Sequence, residues 1–297
     1  MDGILNINKP EGITSYRVVS LVKRLSGERR VGHAGTLDPM ATGVLPVCLD
    51  QATRIVEFLA GAAKTYRAGI ELGVTTDTYD ASGKVVHREN PAGIGREQVE
   101  TALASFRGVI QQTPPMYSAI KHQGKKLYQL ARAGITIERK SRPTTIHRLD
   151  MVDFQMPNVT VEVECGKGTY IRSLAHDLGQ ILGCGASLKS LVRQHYGPFD
   201  IEDAVRLPQL EDAFRHGCWE HFVHPMDLVL STWPATVVDE ATAQSIRNGA
   251  PVALPLESSG GGRCRAYTAD GHFLGILRFE PENERWHPEK VFQNSRT

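Results

Sequence analysis

Apolar residues recur at helical spacing soon after the N-terminus. Val18, Val19, Val22 and Leu25 share one face of a helix that Thr14 or Ser15 can cap and Gly27 can end. The stretch GHAGTLDPMATGVLPV, residues 32–47, then reads as a loop that runs into a short apolar strand over 44–49. A helix over 52–59 and a long strand over 64–74 follow, with the turn ASGK beyond. Residues 96–106 are helical, QQTPPMY breaks the pattern, and 125–133 form a further helix. Residues 148–154 and 159–165 pair as a hairpin around MPN, and GKGT leads into a helix over 170–182 whose buried face is Ile171, Leu174, Ala175 and Leu178. Short acidic helices after GPFD carry the chain to a boundary near Pro234. Beyond it lie a helix over 240–247, the flexible SSGGG, and a strand pair turning at Asp270-Gly271. Strands and helices mix without regular alternation, which is an α+β pattern and not a doubly wound one.

At 297 residues the chain is long enough for one large and one smaller domain, and 41% apolar with 23% charged residues excludes disordered, collagenous and membrane classes. No apolar run approaches bilayer length, and MDGILNINKPEG lacks the features of an export signal, so the cytoplasm is the expected compartment. Cys48, Cys165, Cys184, Cys218 and Cys264 form no C-x-x-C pair and read as small core residues.

The net charge of +1 conceals an asymmetry. Residues 1–199 carry 25 Lys and Arg against 18 Asp and Glu, net +7, whereas residues 200–297 carry 9 against 15, net −6. Lys121, Lys125, Lys126, Arg132, Arg139, Lys140, Arg142 and Arg148 lie in one run with the single acid Glu138, interleaved with Tyr117, His122 and Tyr128. Cations beside stacking groups suit a polyanion, single-stranded nucleic acid in particular, although a solvated face has the same composition.

Three places could carry chemistry. Asp38, between Leu37 and Pro39, is either a turn residue or a catalyst; Gly32, Gly35 and Gly43 would let the backbone approach a ligand, and His33 is a partner or a packed loop residue. Neither nucleotide-binding glycine pattern is present. In HGCWEHFVHP, His216, Cys218, His221 and His224 have zinc-compatible chemistry, with His221 and His224 on one helix face, but Trp219, Phe222 and Val223 make a packed amphipathic helix the simpler account. In GTYIRSLAHDLG, Arg172 is a surface cation unless it meets Asp38, where it would hold the carboxylate ionised.

Together, NKPEGITS (8–15), GHAGTLDPMATGVLPV (32–47), KTYRAGIELG (64–73), GTYIRSLAHDLG (168–179) and LVRQHYGPF (191–199) resemble the TruB family, bacterial synthases that convert uridine 55 of the tRNA TΨC loop to pseudouridine. The resemblance covers most of the chain. It implies a pseudouridine synthase fold with a mixed, largely antiparallel sheet over 1–233 and a small β-rich PUA-like RNA-binding domain over 234–297. It also implies that Asp38 is the essential aspartate, Tyr66 lies against the target base, and Arg172 pairs with Asp38. His33 would assist disruption of the RNA loop, Tyr170 and Leu191 would line the pocket, and the basic insert over 117–142, with Lys121, Lys125, Lys126 and Lys140, would grip RNA. The expected partner is the tRNA T-stem-loop, bound by a monomer with no guide RNA, membrane, cofactor or metal. Ala34, His176 and Gln194 depart from residues common in the family.

A lone carboxylate suits such an isomerisation, because a pair arranged as in glycoside hydrolysis would invite water to end the reaction. Asp38 could attack C1′ or C6, or remove the 2′ hydrogen. A non-catalytic RNA-binding module and a small-molecule enzyme using Asp38 as an acceptor are the readings from other classes. A synthase acting on another RNA, or within a guide-RNA particle, would share the same catalytic core.

Overall fold

The first strand, β1 (Gly3–Lys9), is buried along nearly its whole length and hands over to α1 (Ser15–Ser26). The hydroxyl of Thr14 accepts from the Arg17 N–H, and Gly27 closes the helix in the left-handed region at φ 70°. Val18, Val19 and Val22 are buried, as the spacing predicts. The computed structural model describes residues 1–255 and 262–293; apart from Gly262, the SSGGG stretch lies outside the described residues.

Residues 32–47 are a loop only in their middle. They begin in β2 (Val31–His33) and end in β3 (Thr42–Leu49), which pair antiparallel and leave the Asp38 segment as the connection between them. The expected helix over 52–59 is broken into a 3-10 turn, Asp50–Arg54, and a single helical turn, Val56–Leu59. Tertiary contacts override helix propensity here, since Gln51 Nε2 and Arg54 Nη1 donate to the carbonyls of Gln293 (2.6 Å) and Val291 (2.7 Å) in the C-terminal segment.

The chain continues through β4 (Lys64–Leu72), α2 (Arg96–Ala104) and β5 (Gly108–Gln112) into the basic segment. That segment is a small hairpin, Lys121–His122 against Lys125–Lys126, followed by a short helix at Leu127–Arg132. Gln123 and Gly124 both have positive φ, which turns the chain before a helix can start at Lys125. Next come β6 (Arg142–Gln155), β7 (Asn158–Cys165), α3 (Ile171–Leu182), β8 (Ala186–Tyr196), β9 (Val205–Arg206) and α4 (Leu207–Arg215).

Among the described residues eleven strands form one mixed sheet, with the central order β9-β1-β3-β8-β4-β7-β6-β5. Only β1 with β9 and β3 with β8 are parallel, so the sheet is largely antiparallel. Val22, Leu103, Leu174 and Leu178 from α1, α2 and α3 pack with Leu45, Ala68, Ile70 and Val161 from the strands. At 25–30 cal/mol per Å² of apolar area, each fully buried Val, Leu or Ile side chain among them contributes roughly 1.5–3 kcal/mol before conformational entropy is subtracted.

The C-terminal segment forms a four-stranded sheet from β10 (Ala235–Val238), β11 (Arg263–Thr268), β12 (Phe273–Glu280) and β13 (Arg285–Val291), with α5 (Glu240–Arg247) beside it. It has its own core around Trp286 and Ile246, and it docks through Ile276 and Phe292 on Ile55 and Leu230. No described helix is long and apolar enough to cross a membrane. Cys48, Cys165, Cys184 and Cys264 are buried as expected, whereas Cys218 is exposed.

Candidate active site

The connection carrying Asp38 is fastened on both sides of the acid. Ser15, at the start of α1, donates its hydroxyl to the Leu37 carbonyl at 3.0 Å and accepts the Leu37 N–H at 2.9 Å. On the other side, the Pro39 carbonyl accepts from the Gly12 N–H at 2.8 Å and from Lys9 Nζ at 3.2 Å. Asp38 is therefore presented by two pinned neighbours, with its side chain 39% exposed toward a cleft.

Opposite it, α3 begins at Tyr170, whose backbone N–H and carbonyl are both bonded to the Gln112 side chain. This fixes the first turn of α3 and with it Arg172, which is 4% exposed. Arg172 Nε lies 2.9 Å from Asp38 Oδ2. The meeting that would raise Arg172 above a surface cation is thus present. Loss of hydration on burial pushes the Asp38 carboxyl above its ordinary range, the Arg172 guanidinium opposes that shift, and Asp80 adds to it.

Asp80 corrects the idea of a lone acid. It is 3% exposed, and its Oδ2 lies 3.5 Å from Arg172 Nη1. Its Oδ1 accepts from the Thr78 hydroxyl (2.7 Å), the Ser82 N–H (3.0 Å) and the Ser82 hydroxyl (2.5 Å). Asp80 thus holds the rear of Arg172 while Asp38 takes the front. In sequence its segment, TYDASGK, reads only as a turn; the signal available was an acid flanked by Thr and Ser, which also describes an ordinary Asx turn.

Tyr66 and Leu191 lie on neighbouring strands. Leu191 pairs with Ala68, and Arg193 stands directly opposite Tyr66. Tyr66 is 8% exposed, and burial raises its hydroxyl pKa. The Tyr170 hydroxyl is likewise raised by burial, a shift that the nearby Ser118 opposes. Tyr170 also fronts a cavity of about 270 Å³ lined by Gln112, Pro114, Ile120, Arg142, Pro143 and Gly168. His33 is half-buried in β2; burial lowers its pKa, and its Nδ1 has no hydrogen-bond partner among the described residues.

Beyond the cleft, Lys121, Lys125 and Lys140 are exposed and Lys126 is half-buried, with its Nζ 5.6 Å from the centre of the Tyr128 ring. The segment's root reaches the site, since the Tyr117 carbonyl accepts from Arg172 Nη2 at 2.9 Å. Two cations of the run are not free. Arg139 donates to the Pro114 carbonyl, and Arg148 is ion-paired with Asp150 and Glu162.

Two further expectations change. Gly35 and Gly43 are small for packing and not for a ligand: a Cβ on Gly35 would sit 2.7 Å from the Tyr196 ring, and one on Gly43 would sit 2.2 Å from the Arg193 carbonyl oxygen. His221 and His224 share no helix face, because the 3-10 turn ends at Phe222 and His224 pairs with β1. No group of His, Cys, Asp and Glu among the described residues is arranged to hold a metal.

Comparison with known proteins gives a consistent pattern. The family model for the N-terminal domain of TruB family pseudouridylate synthase matches residues 23–171, and that for the tRNA pseudouridylate synthase B C-terminal domain matches 172–231. The chain is 46% identical over 292 residues to a tRNA pseudouridine synthase B of Dehalococcoides mccartyi, covering 98% of this chain and 97% of the relative. It is 42% identical to that of Pseudomonas aeruginosa, over 93% of this chain and 91% of the relative. The crystal structure of a Cbf5-Nop10-Gar1 complex contains a chain that superposes with a TM-score of 0.76 at 26% identity, over 98% of this chain and 85% of that one.

Proposed function

The chain belongs to the TruB family of pseudouridylate synthases, and from that premise we propose that it isomerises uridine 55 in the TΨC loop of tRNA to pseudouridine. The observation that carries the reading is the 2.9 Å contact between Arg172 and Asp38, with Asp80 behind the arginine. The reaction breaks the bond between N1 and C1′, turns the uracil, and rejoins it through C5. It has no net redox change, hydrolysis or phosphoryl transfer, so a carboxylate, a cation to orient it and a closed pocket suffice.

Asp38 acts as the ionised carboxylate at the nucleoside, and Arg172 keeps it charged and aimed. Tyr66 supports the extruded base, a stacking contribution of roughly 1–3 kcal/mol that helps offset the cost of flipping. Leu191 and Tyr170 wall the pocket and keep the detached uracil from water and from escape. His33 enters the RNA loop. Lys121, Lys125, Lys126 and Lys140 meet phosphates of the T-stem-loop.

Residues 1–233 serve as the catalytic domain and 234–297 as a PUA-like RNA-binding domain. In this reading the protein works as a cytoplasmic monomer without a guide RNA. Direct recognition of tRNA is supported by near full-length identity to proteins named tRNA pseudouridine synthase B.

The experiment is release of tritium from tRNA labelled at uracil C5. Release by wild type that requires both Asp38 and the uridine at position 55 is expected. Release from a substrate with position 55 replaced would move the target elsewhere, and binding without release would favour a non-catalytic RNA-binding protein.

A further inference from the structure

The stretch LVRQHYGPF holds an arginine that the proposed chemistry does not use. Arg193 is fully buried, and its guanidinium is answered by two backbone carbonyls, the Tyr66 hydroxyl and an aromatic ring, not by a carboxylate among the described residues. Its Nε donates to the Val44 carbonyl at 2.7 Å, and its Nη2 donates to the Gly35 carbonyl at 2.8 Å. Its guanidinium carbon sits 4.9 Å from the centre of the Tyr196 ring. Burial of a cation without a counter-ion is costly, so its presence calls for a local reason.

The two carbonyls supply one. Gly35 stands three residues before Asp38 and Val44 six residues after it, so a single planar group grips both roots of the connection that presents the acid. The surroundings are shaped around that grip. Gly35 has φ 64°, and a Cβ there would lie 3.3 Å from Arg193 Nη1 as well as against Tyr196. Gly43 pairs with Arg193 across β3 and β8, and Tyr66 faces Arg193 across β4 and β8. One side chain therefore stands between the loop of Asp38 and the tyrosine proposed to support the base.

We propose that Arg193 is a positioning residue whose guanidinium closes the base of the Asp38 loop and thereby sets the carboxylate against Arg172 and Tyr66. The inference rests on the functional reading above for its kinetic consequence. Ser15 and Lys9 hold the tip of the loop near Leu37 and Pro39. Arg193 holds its roots, a task for which a fork of fixed N–H directions is suited and an ammonium is not. A displacement of about 1 Å in a reacting group can cost about 10²-fold in rate.

The test compares full-length wild type with Arg193→Lys and Arg193→Gln, using tritium release and tRNA binding at one salt concentration. Arg193→Gln should lose about 10²-fold in kcat and Arg193→Lys at least about tenfold, while KM and the tRNA Kd stay within about twofold in both. Amide exchange in the RNA-free protein gives a second readout. The Leu37 and Ala41 N–H groups, bonded to Ser15 and to the Asp38 carbonyl, should exchange at least about tenfold faster in Arg193→Lys, while β4 amides stay unchanged. A folded Arg193→Lys with kcat within about threefold of wild type, or with uniform exchange, would overturn the proposal. Should both variants fail to fold, Gly35→Ala displaces the same guanidinium; wild-type kcat in that variant overturns the proposal equally. If wild type itself releases no tritium, the functional reading fails, and the exchange comparison still decides whether Arg193 clamps the loop.

Discussion

The Arg172 guanidinium lies 3.5 Å from the buried carboxylate of Asp80, on the side away from the cleft. The charge of Asp80 reaches Asp38 through this arrangement and adds to burial in raising the Asp38 pKa. Asp38 acts ionised, so the acid limb of kcat/KM in wild type should lie above the ordinary aspartate value of about 3.9. In Asp80→Asn the limb should move to lower pH, because a negative charge that disfavours ionisation of Asp38 has been removed. A pH–rate profile checks this, and a limb that stays in place or moves upward would separate Asp80 from the titration of Asp38.

Arg172→Met leaves Asp80 buried with no cation. Removing one partner of a buried pair costs about 3–5 kcal/mol, so urea denaturation of this variant should show a loss of that order. Asp38→Asn alters the exposed end of the same cluster and should fold normally, bind tRNA and lose at least ~10³-fold in turnover. A full loss of stability in Asp38→Asn and none in Arg172→Met would reverse the assigned roles.

Lys125 and Lys140 are exposed and Lys126 is half-buried, and none of the three carries an ion pair among the described residues. Replacing all three by Gln should weaken tRNA binding and reduce the slope of log K against log salt by about 2, at roughly 0.7–0.9 per phosphate contact. Turnover at saturating tRNA should change little. An unchanged slope in a salt titration would mean that these lysines do not meet phosphates.

Lys9 and Lys64 are buried cations, each lowered by burial from 10.5 to about 8. Above pH 8 the unfolded chain binds more protons than the folded one at these positions, so their contribution to stability rises with pH. Burial raises the thiols of Cys48, to about 12, and Cys165, to about 11, which works in the opposite direction above pH 9. The thiols contribute alike to wild type and to the Lys→Met variants, so a comparison of their denaturation between pH 8 and 9 isolates the lysines. Over that window the change in stability of wild type should be more favourable than that of Lys9→Met or Lys64→Met by about 1 kcal/mol. Parallel curves would show that neither lysine titrates as described.

Local rules of the sequence carried far. The alternation in KTYRAGIEL placed β4, Thr14 and Gly27 set the ends of α1, and the residues that meet at the cleft, Asp38 and Arg172, both stand in stretches that the family resemblance marks. Those signals survive in one dimension because they depend on neighbours one to four positions away. The helix expected over 52–59 failed for the converse reason: Gln51 and Arg54 bond to Gln293 and Val291, more than 200 positions along the chain.

By itself, then, the sequence determined the α+β class and most of the elements, and its family resemblance pointed to Asp38 and Arg172, which the structure places in contact. Only the tertiary structure decided that a second acid, Asp80, shares the cation Arg172 and that Arg193 bonds to Gly35 and Val44 on either side of Asp38. An aspartate in a turn and an arginine in a strand have no distinguishing pattern of their own. They acquire a role when β3, β4 and β8 come side by side and α3 delivers Arg172 into the gap, because charge and hydrogen bonding act over a few ångströms of space whatever the separation along the chain.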